Sequence, residues 1–348
     1  MATGSWPNLV DVSNITDGSG NIMRVAQMLS QSNDVYTDAP MVMANERTGH
    51  LFGFQTSIPT GSWRAYNVGT PASKGTTAKS RVGMGMLEDY SVVDRALAEH
   101  TGDVEKFRRS QDVAFLEGMG QTIVQTMIYG NTAVTPSEFQ GLSTFYNTVN
   151  TNSAQNAANV LDGGGVGSSN CSLWMIGWGP ETIYGIFPPG SQGGGLNFED
   201  KSDVRAAYDS LGNSYEAYTG WFRQQIGLVP QDWRYGARIA NIDVTSAGLA
   251  GPNALDIFAT MAEMQFLFPK LTSTTSGITS TDAPDGEPGV RTVFYANRTL
   301  LHWMQVQAMR DRNVLARQED YAGIVTDNWR GLPIKLNDQQ TNTESRVV

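Results

Sequence analysis

The stretch between Arg47 and Leu87 constrains this chain more than any other. "HLFGFQTSIP" (50–59), "SWRAYNV" (62–68) and "RVGMGMLEDYSVV" (81–93) alternate large and small or polar residues with period two, the spacing of β-strands. Between the second and third lies "GTPASKGTTAKS" (69–80), with no acid and no side chain larger than threonine or lysine. A structureless loop of about 12 residues is uncommon in a compact domain and is usually functional or disordered. The pattern therefore predicts a long antiparallel arm whose polar tip has something to touch.

Charge sharpens that expectation. The arm holds five basic residues (Arg47, Arg64, Lys74, Lys79, Arg81) and no acid, in a chain of net charge −10, so the remainder carries −15. Acids gather directly after the arm at Glu88, Asp89, Asp94, Glu99, Asp103 and Glu105, then at Glu199, Asp200, Asp203 and Asp209, and again at Asp282, Asp285 and Glu287. A basic arm on an acidic body is the arrangement that complementarity between copies of one chain requires. The candidate contact residues on the arm are Trp63, Arg64, Lys74, Lys79 and Arg81; the candidate acidic partners are Glu88, Asp89, Asp94, Glu99, Asp103, Glu199 and Asp200. The plainer alternative is a solvated hairpin that is merely basic.

Composition points the same way. Charged residues make up 17% of the chain, below the roughly 25% of ordinary soluble domains, and a neutral polar surface is cheaper to desolvate in a large protein contact. Net negative charge argues against a general polyanion binder, because nucleic-acid affinity is mostly phosphate neutralisation. The one cysteine, Cys171, excludes an internal disulfide and fits a reducing compartment. "MATGSWPNLV" has neither the basic nor the apolar region of a secretory leader, and no run approaches 18 apolar residues, so the chain reads as neither secreted by that route nor membrane-spanning.

At 348 residues, two or three subdomains are expected. Residues 1–48 form a lead-in poor in apolar surface, with one short helix at "NIMRVAQMLSQ" (21–31). "GDVEKFRRSQDVAFLEGMGQTIVQTMIYGN" (102–131) predicts a helix of about 26 residues and roughly 40 Å, capped by Asp103 and Gly130. Its predicted apolar face is Val104, Phe107, Phe115, Leu116, Met119, Ile123, Val124 and Met127. A Gly, Ser and Asn-rich link (150–170) leads to buried strands at 171–179 and 181–188, and "PGSQGGGLNFEDKSD" reads as loop. Residues 214–230 and 233–244 read as a strand pair, 253–268 as a helix, 272–290 as an exposed loop, 291–297 as a strand, a helix capped by Asn297, and a closing strand with a polar tail. Trp174, Trp178, Trp221 and Trp303 read as buried.

Catalytic constellations are missing from the pattern. "DGGGVGSSN" (162–170) departs from GxGxxG because Ser168 stands at the last glycine, and no Walker loop, HExxH or GxSxG occurs. His50, His100 and His302 share no ligand spacing, Cys171 opens an apolar strand, and "DAPDGEPG" (282–289) departs from a calcium loop. The reading is a non-enzyme without cofactor or metal.

These segments, in this order, resemble the major capsid proteins of tailed double-stranded DNA bacteriophages with the Hong Kong 97-type fold, nearest to short-tailed phages. The stretches that carry the resemblance are "SIPTGSWRAYNVGTPASKG", "RRSQDVAFLEGMGQTIVQTMIYGN", "SEFQGLSTFYN", "WMIGWGPETIYGIFPPG", "DWRYGARIANIDV" and "FYANRTLLHWMQVQ". The resemblance implies an α+β chain with an N-arm at 1–48, an E-loop at 49–93 and the P-domain spine helix within 94–145. It further implies an A-domain segment and link at 146–190, a P-domain strand pair at 191–250 and an A-domain at 251–348. Because that pair precedes the helix at 253–268, the connectivity reads as permuted. Also implied are self-assembly into hexamers and pentamers of an icosahedral shell, portal, scaffold and cement or decoration proteins as partners, loosely held packaged DNA, no membrane, and assembly in the host cytoplasm. Some relatives crosslink a lysine to an asparagine between subunits; Lys74 and Lys79 are the arm's only lysines, and the sequence marks no partner for them. The competing reading is a tail or surface module that binds carbohydrate or a receptor through exposed aromatics.

Overall fold

The computed structural model describes residues 33–190, 197–209, 211–245, 248–249, 254–269, 290–310 and 327–348. The expected helix at 21–31, the expected loop at 272–290 apart from Val290, and its acids Asp282, Asp285 and Glu287 lie outside these residues, as does the side chain of Asp203. The described residues form two compact units: one from residues 86–124 and 197–225, the other from residues 33–85, 125–190 and the described residues from 226 onward.

The larger unit is organised around β6 (Asn170–Trp178), in which all nine residues are buried. A strand buried on both faces reads as a continuous apolar run, as "CSLWMIGW" does. β6 pairs antiparallel with β10 (Gly236–Asp243) and with β11 (Arg291–Ala296), and β11 continues in parallel to β13 (Leu332–Leu336), which pairs with β12 (Asp327–Trp329). On β10's other edge lies β5 (Val160–Asp162). β7 (Ile183–Phe187) joins β6 at Trp178 and Ile183, and pairs with β1 (Met41–Met43) and with the end of β9 (Ser214–Pro230). Helices α5 (Ile257–Leu267) and α6 (Arg298–Arg310) cover one face, where Ile257, Met261, Met264, Leu300 and Met304 pack on Leu173, Met175, Ile239 and Phe294. Asn297 caps α6 as its sequence position suggests, accepting from the Leu300 amide at 2.8 Å. The cap of α5 is Asp256, which accepts from the Ala259 amide, so the helix starts at Ile257.

The buried charges Arg238, Glu344 and Asp38 of this unit are matched. Arg238 and Glu344, both nearly inaccessible, pair at 2.8 Å. Ser172 donates to the same carboxylate, Arg238 also donates to the Tyr146 carbonyl and lies over the Trp174 ring, and Tyr129 donates to the other Glu344 oxygen. Asn241, at positive φ in an irregularity of β10, exchanges hydrogen bonds with the Val347 backbone and so fastens the C-terminal residues. Asp38, in the short helix α1 (Asp34–Asp38), is likewise sequestered: Tyr295 donates to it at 2.6 Å, and Lys335 and Arg291 each approach to 2.8 Å.

The smaller unit holds β4 (Gly85–Asp94), β8 (Asn197–Tyr208), residues 214–225 of β9, helix α2 (Arg95–His100) and residues 104–124 of α3 (Val104–Tyr129). β8 and β9 pair antiparallel, and Val93, Ala98 and Phe107 form a small core. Asp94 and Asp103 are helix caps, accepting from the Ala96 and Lys106 amides. The 26 residues of α3 match the expected spine helix. Gly130 ends it for a different reason: its φ is not positive, but a Cβ there would lie 2.3 Å from the Phe139 carbonyl.

Four expectations are corrected. Residues 62–68 form no strand, because Pro59 and Pro71 bracket the segment and nothing pairs with it; residues 58–75 carry no regular strand or helix. The segment from 197 is strand β8 rather than loop, a polar strand held by β9. The 150–170 link contains a 3-10 helix (Gln155–Asn159) and β5. β9 and β10 do not pair with each other: β9 pairs with β7 and β8, and β10 with β5 and β6. Two smaller differences concern burial, since Leu116 is exposed and Trp221 and Trp303 are half-buried, unlike Trp174 and Trp178.

Candidate functional site

The arm is a ladder of β2 (Gly49–Ser57) with β3 (Thr76–Gly83), in register from Gly49 opposite Gly83 to Ser57 opposite Thr76. At about 3.4 Å per residue, the strands carry the tip roughly 27 Å from their base. The base is anchored: Val82 joins Tyr184, Ile186, Val229 and Ala44 in a small core. A Cβ at Gly49 would lie 2.6 Å from the Val82 carbonyl, so only glycine lets the strands meet there. Near the tip, Thr56, Ser57 and Thr76 are linked through their hydroxyls.

His50 is part of the base. The Asn45 amide donates to its Nδ1 at 3.3 Å, which leaves Nε2 as the donor toward the Tyr184 hydroxyl, 3.2 Å away; that hydroxyl in turn donates to Gln231. Burial holds the imidazole pKa below its ordinary 6.5, against an opposing pull from Glu46.

Beyond the base the arm is solvent-exposed. Trp63 and Tyr66 are exposed to 105% and 95% of their reference areas, and Arg64, Lys74 and Lys79 are exposed and make no ion pair among the described residues. Arg81 differs. It is held within its own chain by Glu46 at 2.7 Å and by the Thr48 hydroxyl at 2.8 Å.

The acidic candidates separate in the same manner. Asp94 and Asp103 serve as caps, Glu99 pairs with Arg95 at 2.7 Å, and Asp200 pairs with Arg108 at 2.5 Å. Glu199 is exposed on β8. Glu88 and Asp89 are exposed side by side on β4, with one Asp89 oxygen accepting from the Tyr90 amide. They border a groove of about 290 Å³ whose apolar wall is Leu87, Ala114, Phe115 and Met119. Sequence reading missed Tyr66 and this groove; the spacing of Trp63 and Tyr66 beside Arg64 was the available signal for the first.

No three His, Cys, Asp or Glu side chains among the described residues could jointly hold a metal ion. Burial pushes the Cys171 thiol well above its ordinary pKa, away from the reactive thiolate. The glycine run is structural: Gly163 and Gly165 donate to the Ala240 and Asn241 carbonyls, leaving neither amide for a phosphate. Among the described residues no helix is long and apolar enough to cross a membrane.

A family model for the major capsid protein GP7 matches residues 17–348. The chain belongs to this family of phage major capsid proteins. The solved structure of bacteriophage Epsilon15 is similar over 100% of this chain and 99% of its own, at 31% identity and a TM-score of 0.71. The capsid protein of bacteriophage JBD30 matches at 10% identity and a TM-score of 0.48, over 90% of this chain and 93% of its own. No curated protein matches the chain. The protein is therefore a shell-forming component of a virion capsid with a mixed α and β fold of the Hong Kong 97 type, and the carbohydrate- or receptor-binding alternative is not favoured.

Proposed function

We propose that this chain builds an icosahedral shell of hexamers and pentamers around double-stranded DNA, and that the β2–β3 arm is the E-loop that lies over a neighbouring copy. The observation that carries the reading is the arm itself: a ladder fixed at its base, with a basic and aromatic tip that is exposed and makes no ion pair among the described residues. In a shell, each weak contact is multiplied by closure. Residues 1–48 act as the N-arm and α3 as the P-domain spine, with the two A-domain segments contributed by 146–190 and 251–348. Assembly takes place in the host cytoplasm with portal, scaffold and cement or decoration proteins, and a net charge of −10 leaves packaged DNA loosely held. The role is structural rather than enzymatic.

The contact set narrows to Trp63, Arg64, Lys74 and Lys79, since Arg81 is already occupied. Reversing charge at Arg64, Lys74 and Lys79 is expected to leave the subunit folded by circular dichroism and to suppress shells in electron micrographs. Shells at the unmodified yield would refute arm docking.

A further inference from the structure

We propose that residues 337–348 form a strap that docks on an already folded body as a separate step, by inserting Glu344 into a socket built from Arg238, Ser172 and Tyr129, and that its docking sets the C-terminal end of α3 for assembly. The assembly role rests on the shell-forming reading. The separate docking does not.

Three observations converge. First, the strap is held by polar groups. "NDQQTNTESRVV" has two apolar side chains, Val347 and Val348, and Val348 is exposed to 72%. Its buried residues are Asn337, Gln340 and Glu344. The Glu344 amide donates to the Asn170 carbonyl at 2.9 Å, Asn342 accepts from Asn297 at 2.6 Å and donates to Thr299 at 3.0 Å, and Thr148 donates to the Val348 carbonyl at 2.8 Å. Segments with few buried apolar contacts are the ones that open without global unfolding.

Second, the surface beneath the strap is polar as well. Asn170 and Ser172 share one face of β6 with Trp174, while Cys171, Leu173 and Met175 on the other face belong to the core under α5 and α6. Lifting the strap uncovers Asn170, Ser172, Arg238 and the Tyr129 hydroxyl, groups that water can satisfy, and leaves that core closed. The Trp174 ring and the Tyr146 carbonyl hold Arg238 in place without Glu344.

Third, β10 is strained where it grips the strap. Asn241 stands at φ 57° beside an irregularity of β10, a conformation unfavourable for a residue with a side chain. Its side-chain oxygen accepts from the Val347 amide and its nitrogen donates to the Val347 carbonyl, both at 2.8 Å, and the nitrogen also donates to Asp162 at 2.9 Å. Glycine would relieve the backbone but could not hold Val347. The strap reaches α3 through Tyr129, the last residue of that helix, which accepts from the Thr341 amide at 3.1 Å and donates to Glu344 at 2.6 Å.

The test begins with hydrogen exchange on the full, unassembled chain, read by mass spectrometry at urea concentrations below the unfolding transition. Exchange along β6 requires global unfolding and is expected to quicken about ten-fold or more by about 1 M urea. Exchange at Thr341, Glu344 and Val347 should change less than about two-fold, because strap opening exposes little surface. A common urea dependence would overturn the separate step. Asn241→Gly relieves the backbone and removes both bonds to Val347, so strap exchange should rise about ten-fold; an unchanged rate would overturn the step as well. Tyr129→Phe keeps the ring and deletes the link between strap and α3. It is expected to fold, and to lower shell yield in electron micrographs by about ten-fold or more, since closure multiplies each contact. Shells from Tyr129→Phe at the unmodified yield would overturn the assembly role while leaving the shell-forming reading intact. An unmodified chain that never forms shells, with its neighbouring gene products present, would overturn that reading and the assembly role together, whatever the exchange shows.

Discussion

The strand β6 and the arm tip answer the same physical demand in opposite ways. Along β6 nine consecutive residues are buried, and the charge beside it is internal: Arg238 and Glu344 find each other, Ser172 and the Tyr146 carbonyl, all within one subunit. Along residues 58–74 every residue is exposed. Trp63, Tyr66, Arg64 and Lys74 stand in water with no contact to offset the ordering of the loop. The difference teaches where the subunit ends as a folding unit and where it begins as an assembly unit. Changes at β6 should act on folding, and changes at the tip on association.

The largest effect is expected where the body is most closed. Glu344→Gln leaves Arg238 without its counter-charge, and breaking a buried ion pair costs about 3–5 kcal/mol. Urea unfolding of the isolated subunit should show that loss, and a loss below about 1 kcal/mol would mean that the pair behaves as a surface one. Next, Asn159→Ala removes an amide that approaches the carbonyls of Trp233, Arg234 and Gly236, the last at 2.8 Å. A deficit of about 1–3 kcal/mol is expected for leaving buried acceptors unpaired, read by the same titration.

The base of the arm should respond to pH. The folded protein holds His50 below its ordinary pKa of 6.5 chiefly by burial, so the unfolded chain binds the proton more readily. Stability from this group is complete above pH 6.5 and falls as pH drops through the lower folded value, when protonation of Nδ1 removes the acceptor for the Asn45 amide. Protection factors at Leu51 and Val82, taken relative to the intrinsic exchange rate at each pH, should fall between pH 7 and pH 5, and His50→Gln should remove most of that dependence. Protection that is flat with pH would assign the base to its apolar core alone. Smallest of all, Trp63→Ala should change the isolated subunit's stability by no more than about 0.5 kcal/mol, as for a surface site. A larger change would place the tip among the subunit's own folding contacts and erase the contrast.

How legible each region was in the sequence follows from the same contrast. "CSLWMIGW" announced a buried strand because both of its faces are covered by its own chain. The spine helix was legible from Asp103 to Tyr129 through its cap and its spacing, although Leu116 proved exposed, because the middle of α3 carries little of the core. β8 was missed because "NFEDKSDV" has the composition of a loop and becomes a strand through its ladder with β9, a partner distant in sequence. At the tip, the alternation of "SWRAYNV" suggested a strand, yet the segment lacks any strand to pair with, and periodicity reports side-chain demand rather than partner supply. Charge counting identified the arm as basic and its surroundings as acidic, but could not tell Arg81, held by Glu46, or Asp94 and Asp103, which cap helices, from the exposed Arg64 and Glu88. That distinction is one of geometry alone.

A cryo-electron microscopy reconstruction of assembled particles, traced through residues 49–83, tests the central claim most directly. The account predicts arm density crossing to a neighbouring copy, with the tip resting on that copy. Density that folds back on its own subunit, or a tip standing free in solvent between copies, would contradict it.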